Sequence, residues 1–327
     1  PKPTDKILQK TPYTFDVSVW ELLWGIWNGS SIVFVQPNKE PDAIIEIINK
    51  ENISIVHFIP SMFGMFLSFL DKKNFLSLPS LKYIFCSGEP LESSQVQESL
   101  YALPQAKIYN LYGPTETNVC TYYKVMPGDL APDRTEPVPV GIACENTEVF
   151  AVTEAGERGS VGEEGELYVR SSTVMKGYWG RPQDSARFLT RSPFNPHYDE
   201  LLYRTGDIVR MLPSGDYQYL GRKDKMIKSR GYRIEIGEIE AAFHAHPGVR
   251  EVAVIAVPDD EIGARIVAFV AATEGVTRGE LEKFCIERLP RYMMPEKMTF
   301  EAELPKTSTG KIDKALLERR SRSDEHG

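Results

Sequence analysis

The sequence predicts an α/β fold: a mostly parallel sheet with helices on its faces, a β-rich subdomain, and a small mobile α+β domain at the carboxyl end. Strand and helix signals alternate strictly over residues 16–120, which is typical of a parallel sheet. Short strands and turns replace that pattern over 138–221, and an α+β pattern follows. We therefore predict three regions, 1–137, 138–223 and 224–327, the last being long enough to fold as a domain.

The elements of the first region follow from the spacing of apolar residues. Apolar residues at helical intervals predict helices, and short apolar runs predict strands. The predicted helices cover 19–24, 41–50, 60–70 and 92–100, and the predicted strands cover 31–35, 53–58, 81–86 and 106–109. Because a helix lies between each pair of strands, the strands are expected to run parallel.

The later regions show shorter elements. The second region has predicted strands at 147–152, 165–169 and 215–220, with a hairpin turn at Ser214 and Gly215. The third has predicted helices at 235–246 and 278–288 and predicted strands at 252–257, 264–272 and 297–300. The charged run 223–228 is interpreted as a hinge, and residues 319–327 are predicted to be disordered.

Composition excludes several classes of protein. The 327 residues are 42% hydrophobic and carry a net charge of −8, which argues against a nucleic-acid-binding surface as the main function. No apolar run approaches the roughly 20 residues that span a bilayer. Four cysteines without metal-binding spacing indicate free thiols in a reducing cytoplasm rather than a zinc site. The sequence has no initiator methionine and soon enters an apolar helix, as if it began inside a domain. We therefore expect a fragment of a longer polypeptide.

The stretch Asn110–Glu116 has the strongest functional signal, because it follows a predicted strand of an α/β sheet, where ligands bind. It offers an amide (Asn110), an aromatic face (Tyr112), a hydroxyl (Thr115) and a carboxylate for a metal ion (Glu116). Taken alone, an ordinary strand-to-loop turn explains it equally well.

Several further stretches occur in an order that resembles one family, the adenylate-forming enzymes, and most closely the amino-acid adenylation domains of nonribosomal peptide synthesis. They are 15–21 (FDVSVWE), 110–116 (NLYGPTE), 165–167 (GEL), 203–207 (YRTGD), 221–224 (GRKD), 228–235 (KSRGYRIE), 289–295 (LPRYMMP) and 309–313 (TGKID). The family's lysine-containing phosphate loop, which precedes these stretches, is absent. The resemblance thus implies an adenylate-forming fold that is N-terminally incomplete, its first third missing or in another chain.

The resemblance implies that an amino acid carboxylate attacks the α-phosphorus of ATP, with Mg²⁺, and that a carrier-protein phosphopantetheine then takes the aminoacyl group. Glu116 would hold Mg²⁺, Thr115 would contact the α-phosphate, and Lys311 would stabilise the developing charge. The implied nucleotide-binding residues are Asn110, Tyr112, Thr115, Asp207, Tyr219, Arg222 and Lys311. The implied hinge is Asp224 and Lys225, and Lys228 and Gly231 would serve thioester formation. The alternative for Lys311 is that it is one more lysine of a basic tail. The alternative for Arg222 is that it forms an ion pair at the surface.

The family's pocket positions carry over onto Asp16, Val17, Trp20, His57, Phe85, Ser87, Leu111, Val119, Cys120 and Lys311. By resemblance Asp16 pairs with the substrate ammonium, although Asp at a helix start is by default an N-cap. His57 and Ser87 offer hydrogen bonds to a small polar side chain, although a lone His is often a core residue. The set resembles serine-activating domains. Cys120 departs from their pattern and leaves threonine, alanine or 2,3-diaminopropionate open.

The expected function is therefore ATP-dependent loading of L-serine onto a peptidyl or acyl carrier protein in antibiotic biosynthesis, by an enzyme of the stand-alone type. A small activator protein is a possible further partner; neither nucleic acid nor membrane is expected. Two alternatives stay open: an acyl- or aryl-CoA ligase, against which Asp16 argues, and a non-catalytic nucleotide- or carrier-binding remnant. Residues 1–327 by themselves are expected to be inactive or poorly folded.

Overall fold

The computed structural model describes residues 1–36, 40–72, 78–130, 137–194, 197, 201–223, 226–259, 261–306 and 312–323. The chain divides into two units, Pro1–Lys223 and Asp224–Gly327. Within the described ranges, every helix is too short or too polar to cross a membrane.

The main sheet of the first unit has seven strands in the order β2-β1-β3-β4-β5-β6-β7. Strands β1 to β5 pair in parallel, whereas β6 and β7 are antiparallel. The elements are β1 Lys6–Gln9, α1 Val17–Asn28, β2 Ser31–Phe34, α2 Pro41–Glu51, β3 Ile55–Phe58, α3 Pro60–Lys72, β4 Tyr83–Ser87, α4 Ser93–Ala102, β5 Lys107–Tyr112, β6 Thr121–Lys124 and β7 Ile142–Ala143.

This arrangement confirms the predicted α/β class and the mostly parallel sheet. Strand β1 was not predicted, because Ile7 and Leu8 are its only apolar residues and it depends on pairing with β2 and β3. The core beside the sheet contains Ile44 and Ile48 of α2, one helical turn apart, and the three aromatic rings of Phe58, Phe63 and Phe66. Burying each such side chain contributes about 1.5–3 kcal/mol.

The second sheet is antiparallel and also belongs to the first unit. Its long central strand pairs with β9 along one side; along the other side it pairs first with β10 and then with β12. The elements are β8 Thr147–Val152, β9 Glu164–Ser171, α5 Pro182–Phe188, β10 Leu189–Arg191, β11 Leu201–Met211 and β12 Tyr217–Arg222. The three predicted strands are confirmed, and α5, β10 and β11 are additional.

The second unit contains a three-stranded sheet in the order β15-β16-β17 and a separate hairpin, β13-β14. Helices α6 and α7 bury Ile239, Phe243 and Leu281 against one face of the sheet. The elements are β13 Met226–Ser229, β14 Tyr232–Glu235, α6 Ile236–His244, β15 Val249–Asp259, β16 Gly263–Ala272, α7 Arg278–Ile286, β17 Lys297–Phe300 and α8 Lys314–Ser323.

The predicted disorder from residue 319 is wrong as far as residue 323, because α8 continues to Ser323. The backbone of Leu316 donates to Asp313 Oδ1 at 3.0 Å, which caps the first turn. Leu317 is fully buried against the opposite face of the sheet, and Lys314 pairs with Glu240. The charged residues of this helix outnumber its one fully buried apolar residue, Leu317, which is why the helix was not predicted.

Candidate functional site

Parallel strands β3, β4 and β5 end at the same edge of the main sheet, and the predicted pocket residues lie there. The register pairs His57 with Phe85, and Ser87 with Leu111. These four residues therefore occupy three neighbouring strands within two positions of one another. The topology alone brings together side chains that are far apart in sequence.

Helix α1 supplies the aromatic wall of this group. The Trp20 ring lies edge-on to His57, with centroids 5.5 Å apart, and edge-on to Phe85 at 5.9 Å. Trp24, one turn later, lies 4.5 Å from Trp20 and 5.2 Å from Phe85. Trp24 was not among the predicted residues, and its four-residue spacing from Trp20 was the available signal.

His57 is buried and contacts Ser87, with 2.8 Å between His57 Nε2 and Ser87 Oγ. Burial, with a smaller effect from the charge of Lys10, lowers the pKa of His57 well below its usual value. The imidazole is therefore neutral at pH 7, and each ring nitrogen is either a donor or an acceptor. In the described part of the chain, neither His57 Nδ1 nor Trp20 Nε1 has a hydrogen-bond partner, although both are buried.

Such orphaned polar atoms are uncommon in folded proteins, and each costs roughly 1–3 kcal/mol. A ligand that bonds to them removes this cost. The two atoms lie on neighbouring rings, whose centroids are 5.5 Å apart in a T-shaped arrangement. This is the feature of the site that most directly indicates a bound small molecule.

Two ionisable residues that were not predicted, the half-buried Lys10 and the buried Glu21, lie near the pocket. Lys10 follows β1, and its Nζ lies 4.8 Å from the centre of the Phe58 ring. Burial lowers the pKa of Lys10 to about 8, against the raising effect of Glu21. Glu21 is itself buried, and its Oε1 accepts a hydrogen bond of 2.8 Å from Thr11 Oγ1. Glu21 lies on α1, the helix that carries Trp20, and Lys10 follows β1, which pairs with β3, the strand of His57.

Asp16 caps α1, with its Oδ1 accepting from the backbone nitrogen of Val17 at 3.0 Å. The N-cap role that residue type suggests is therefore present. Burial raises the pKa of Asp16, and the negative charge of Glu116 adds to the effect. Asp16 lies at the start of α1, and Glu116 lies in the loop after β5.

The loop after β5 folds tightly over Gly113. A Cβ atom on Gly113 would lie 1.9 Å from the main-chain oxygen of Asn118, so only glycine fits without moving the backbone. Asn118 adopts a left-handed conformation with φ of 56°, and its Oδ1 accepts from Val119 N at 2.7 Å. This fold leaves Thr115 exposed and Glu116 half-buried.

Glu116 is held by a segment that the sequence analysis missed. The hydroxyl of Tyr178 donates to Glu116 Oε1 at 2.5 Å, and Met175 N donates to the Glu116 main-chain oxygen at 2.8 Å. Burial, then this hydrogen bond, raises the pKa of Tyr178, so the phenol keeps its proton. No pattern in the sequence indicated that Tyr178 contacts Glu116, because two residues 62 positions apart leave no local periodicity.

The carboxylate of Glu116 fits the Mg²⁺ that the resemblance implies. The described residues contain no cluster of three or more His, Cys, Asp or Glu that could hold a metal ion by themselves. Mg²⁺ at nucleotide sites takes one or two carboxylates and completes its coordination with phosphates and water. One oriented carboxylate beside the Thr115 hydroxyl is a suitable donor set for that kind of site.

A second polar cluster connects the two sheets. Tyr112 donates to Asp207 Oδ2 at 2.5 Å, and Arg222 donates to Asp207 Oδ1 at 3.0 Å and to the Thr205 oxygen at 2.7 Å. Burial, then Asp207, raises the pKa of Tyr112 well above its usual value. The ring of Tyr219 lies 6.5 Å from that of Tyr112. Four predicted nucleotide-binding residues are thus adjacent.

Two other predicted residues are engaged inside the protein. The Asn110 amide donates to the main-chain oxygens of Val138 and Pro139, at 3.3 and 2.9 Å. Cys120 is fully buried in the cluster that contains Tyr112, and burial raises its pKa to about 12. A ligand at Asn110 would have to use the amide oxygen, and Cys120 acts as a small apolar side chain.

The second unit carries the predicted thioester-forming residues on the hairpin β13-β14. Arg230 and Gly231 form its two-residue turn with φ of 50° and 77°, the conformation of a type I′ turn. Lys228 precedes this turn on β13. The predictions for Lys228 and Gly231 stay predictions, and those for Lys311, Asp224 and Lys225 fall outside the described residues.

Comparison with known proteins gives two family matches. Residues 1–179 match the family described as AMP-binding enzyme, and residues 238–311 match its C-terminal domain, described as AMP-binding enzyme C-terminal domain. The chain is 39% identical over 325 residues to a mycosubtilin synthase polypeptide of Bacillus subtilis, covering 96% of the chain and 12% of that protein.

Two further likenesses concern proteins nearer in length. The chain is 35% identical over 321 residues to the L-proline–[L-prolyl-carrier protein] ligase of Pseudomonas fluorescens, covering 97% of the chain and 61% of that ligase. It resembles the crystal structure of the Vibrio cholerae adenylation domain AlmE with glycyl-adenosine-5'-phosphate, with a TM-score of 0.83 and 25% identity, over 99% of the chain and 60% of AlmE. The chain therefore spans less than two thirds of each of these proteins.

Proposed function

Because this chain belongs to the family of AMP-binding enzymes, we propose that it activates an amino acid with ATP, forming an aminoacyl-adenylate and pyrophosphate. Two relatives support the proposal. One is named as a ligase that joins L-proline to a carrier protein, and the other binds glycyl-adenosine-5'-phosphate. Transfer of the aminoacyl group to a carrier-protein phosphopantetheine is part of the proposal, with a small activator protein as a further candidate partner.

The observation that carries the proposal is the placement of two carboxyl groups: Asp16 caps α1, the helix that carries Trp20, and Glu116 is held by Tyr178 in the loop after β5. An aminoacyl-adenylate has a positive ammonium group at one end and a negative phosphate near the other. The half-buried carboxyl of Asp16 would gain from an ammonium ion, which lowers its pKa and stabilises its charge. Glu116 would face the phosphate through Mg²⁺, which would neutralise phosphate charge when bound.

The nucleotide would be bound by the cluster around Asp207. Its carboxylate accepts from Tyr112 and Arg222 and is a suitable acceptor for the hydroxyl groups of a ribose. The rings of Tyr112 and Tyr219 offer faces for the adenine, and the Asn110 oxygen offers an acceptor. Thr115, exposed in the loop, would donate to the α-phosphate. These residues bind and orient, which is most of what a protein contributes to phosphoryl transfer.

L-Serine is the proposed substrate. His57 and Ser87 form a buried hydrogen bond, and His57 Nδ1 is buried without a partner among the described residues. A serine hydroxyl would satisfy that nitrogen, whereas alanine would leave it unpaired. Trp20, Phe85, Leu111, Val17 and Val119 would bound the volume. Threonine and 2,3-diaminopropionate are alternatives, because they too carry a polar group at the β carbon.

The proposal is tested with hydrolysis-resistant sulfamoyl analogues of seryl-adenylate and of a fatty acyl-adenylate, measured by isothermal titration calorimetry. We expect the seryl analogue to bind at least about 10-fold more tightly, since an unpaired buried group costs roughly 1–3 kcal/mol. The substitution Asp16→Asn should remove most of this preference. A preference for the fatty acyl analogue would instead support an acyl-CoA ligase.

ATP–pyrophosphate exchange with serine, measured on a polypeptide that includes the phosphate loop, separates an enzyme from a binding remnant. We propose the domain limits 1–137, 138–223 and 224–327 as the units of this enzyme. Strong binding of the seryl analogue without any exchange in a polypeptide that includes the phosphate loop would favour the non-catalytic alternative.

A further inference from the structure

We propose that Tyr178 is a positioning residue for Glu116: its hydroxyl fixes the carboxylate in the orientation that a nucleotide-bound Mg²⁺ requires. The inference deepens the proposed function and depends on it. It assigns a role to the segment 171–178, which connects β9 to α5 and which neither the motifs nor the pocket positions include.

The hydrogen bond from Tyr178 to Glu116 is built into its surroundings. The Tyr178 ring lies edge-on to Phe188 at 6.2 Å, and Phe188 stacks on Tyr203 at 6.1 Å. The backbone nitrogen of Tyr178 donates to Ser185 Oγ at 2.8 Å. The ring and the backbone of Tyr178 thus both contact α5, and α5 packs against β11 through Phe188.

The same segment is bonded to the loop at two more points. Met175 N donates to the Glu116 oxygen at 2.8 Å, and Thr173 Oγ1 donates to the Thr117 oxygen at 2.7 Å. These bonds position the backbone of the loop, and Tyr178 positions the side chain. The contact between Tyr178 and Glu116 therefore belongs to a three-point attachment between two segments.

In this pair Glu116 would bind the metal ion, and Tyr178 is its outer partner, a residue that bonds to the ligand without binding the metal itself. A carboxylate held by a hydrogen bond from a fixed donor has fewer orientations to lose when a metal ion binds. The phenol hydroxyl can donate one hydrogen bond, and here it donates to Glu116 Oε1. Loss of such an outer partner commonly weakens metal binding by about 10–100-fold.

The test measures Mn²⁺, a spectroscopic substitute for Mg²⁺, by electron paramagnetic resonance with the protein and ATP. We expect Tyr178→Phe, which keeps the ring and removes the hydroxyl, to raise the Mn²⁺ dissociation constant about 10-fold or more. Tyr101→Phe, at a tyrosine that is 85% exposed on α4, should change nothing. Glu116→Gln should raise the dissociation constant at least as much as Tyr178→Phe.

Thr173→Val is the control for a purely structural effect. It removes the hydrogen bond from Thr173 to the loop after β5 and leaves the contacts of the Glu116 carboxylate in place. We expect it to lower the melting temperature but not the Mn²⁺ affinity. If Tyr178→Phe leaves the Mn²⁺ affinity unchanged while Glu116→Gln weakens it, Tyr178 has no positioning role and the proposed function stands. If Glu116→Gln has no effect either, both the inference and the metal assignment in the proposed function are wrong.

Discussion

Ser87 Oγ lies 2.8 Å from Nε2 of His57, inside the protein, and this contact leaves His57 Nδ1 as a buried nitrogen at the edge of the sheet. The neutral ring can take either tautomer, and Ser87 decides which nitrogen carries the proton. If the hydroxyl donates to Nε2, then Nδ1 is a donor; if it accepts, Nδ1 is an acceptor. The pair can therefore adapt to a substrate hydroxyl, which both donates and accepts.

We predict that Ser87→Ala will weaken binding of the seryl-sulfamoyl analogue by about 10-fold or more, because a buried hydrogen bond is lost and His57 is no longer fixed. Binding of the alanyl analogue should change much less. Calorimetric titration of both analogues measures the difference. Ser160→Ala, at an exposed serine between β8 and β9, is the control. Equal losses for the two analogues would contradict a role in side-chain selection.

The lowered pKa of His57 makes a prediction for stability against pH. In the unfolded chain His57 has an ordinary pKa near 6.5, whereas in the folded protein burial and Lys10 hold its pKa far below that. Below about pH 6.5 the unfolded state therefore binds a proton that the folded state does not, and stability falls as the pH falls. The contribution of His57 to this slope is up to about 1.4 kcal/mol per pH unit.

The measurement is urea unfolding between pH 5 and 7.5, with His57→Gln compared with the unchanged chain. The difference in unfolding free energy should shrink steadily toward pH 5, because the variant has no such proton to bind. His244→Gln, at an exposed histidine of α6, should leave the slope unchanged. A constant difference across the range would mean that His57 has the same pKa in the folded protein as in the unfolded chain.

Arg222→Met should destabilise the first unit by about 3–5 kcal/mol, since it leaves the buried carboxylate of Asp207 without its cationic partner. Arg222 has 8% of its side chain exposed and Asp207 has 3%, so water cannot replace the missing donors. Chemical denaturation measures the loss. Arg158→Met, which removes an exposed ion pair with Glu148, should cost no more than about 1 kcal/mol. A loss of similar size for both variants would contradict the view that Arg222 and Asp207 form a buried ion pair that matters for stability.

The sequence predicted those parts of the fold and site that local patterns determine. Alternating helices and strands specify the parallel sheet, and the carboxyl ends of its strands then bring His57, Phe85 and Ser87 together. Contacts between distant segments leave no such pattern. The bond from Tyr112 to Asp207 spans 95 positions, and Tyr178 reaches Glu116 from a stretch without periodic signal. Leu317 was missed because one buried leucine in a charged helix does not dominate its composition.

Gly113→Ala tests whether the tight loop after β5 holds Glu116 in place. The new Cβ would lie 1.9 Å from the Asn118 oxygen and 2.8 Å from the Val119 α-carbon, which are backbone atoms that cannot swing aside. The loop must therefore open, which moves Glu116 away from Tyr178. We expect a loss of stability of at least about 1–3 kcal/mol, typical of overpacking, and a loss of Mn²⁺ binding in the presence of ATP.

Gly128→Ala is the matched control, because a Cβ at Gly128 meets no atom within 4 Å. It should change the unfolding free energy by no more than about 1 kcal/mol, and it should leave the Mn²⁺ affinity unchanged. The pair of variants separates the loss of a loop conformation from the general effect of adding a methyl group. If Gly113→Ala binds Mn²⁺ as tightly as Gly128→Ala does, the conformation of this loop does not determine the position of Glu116.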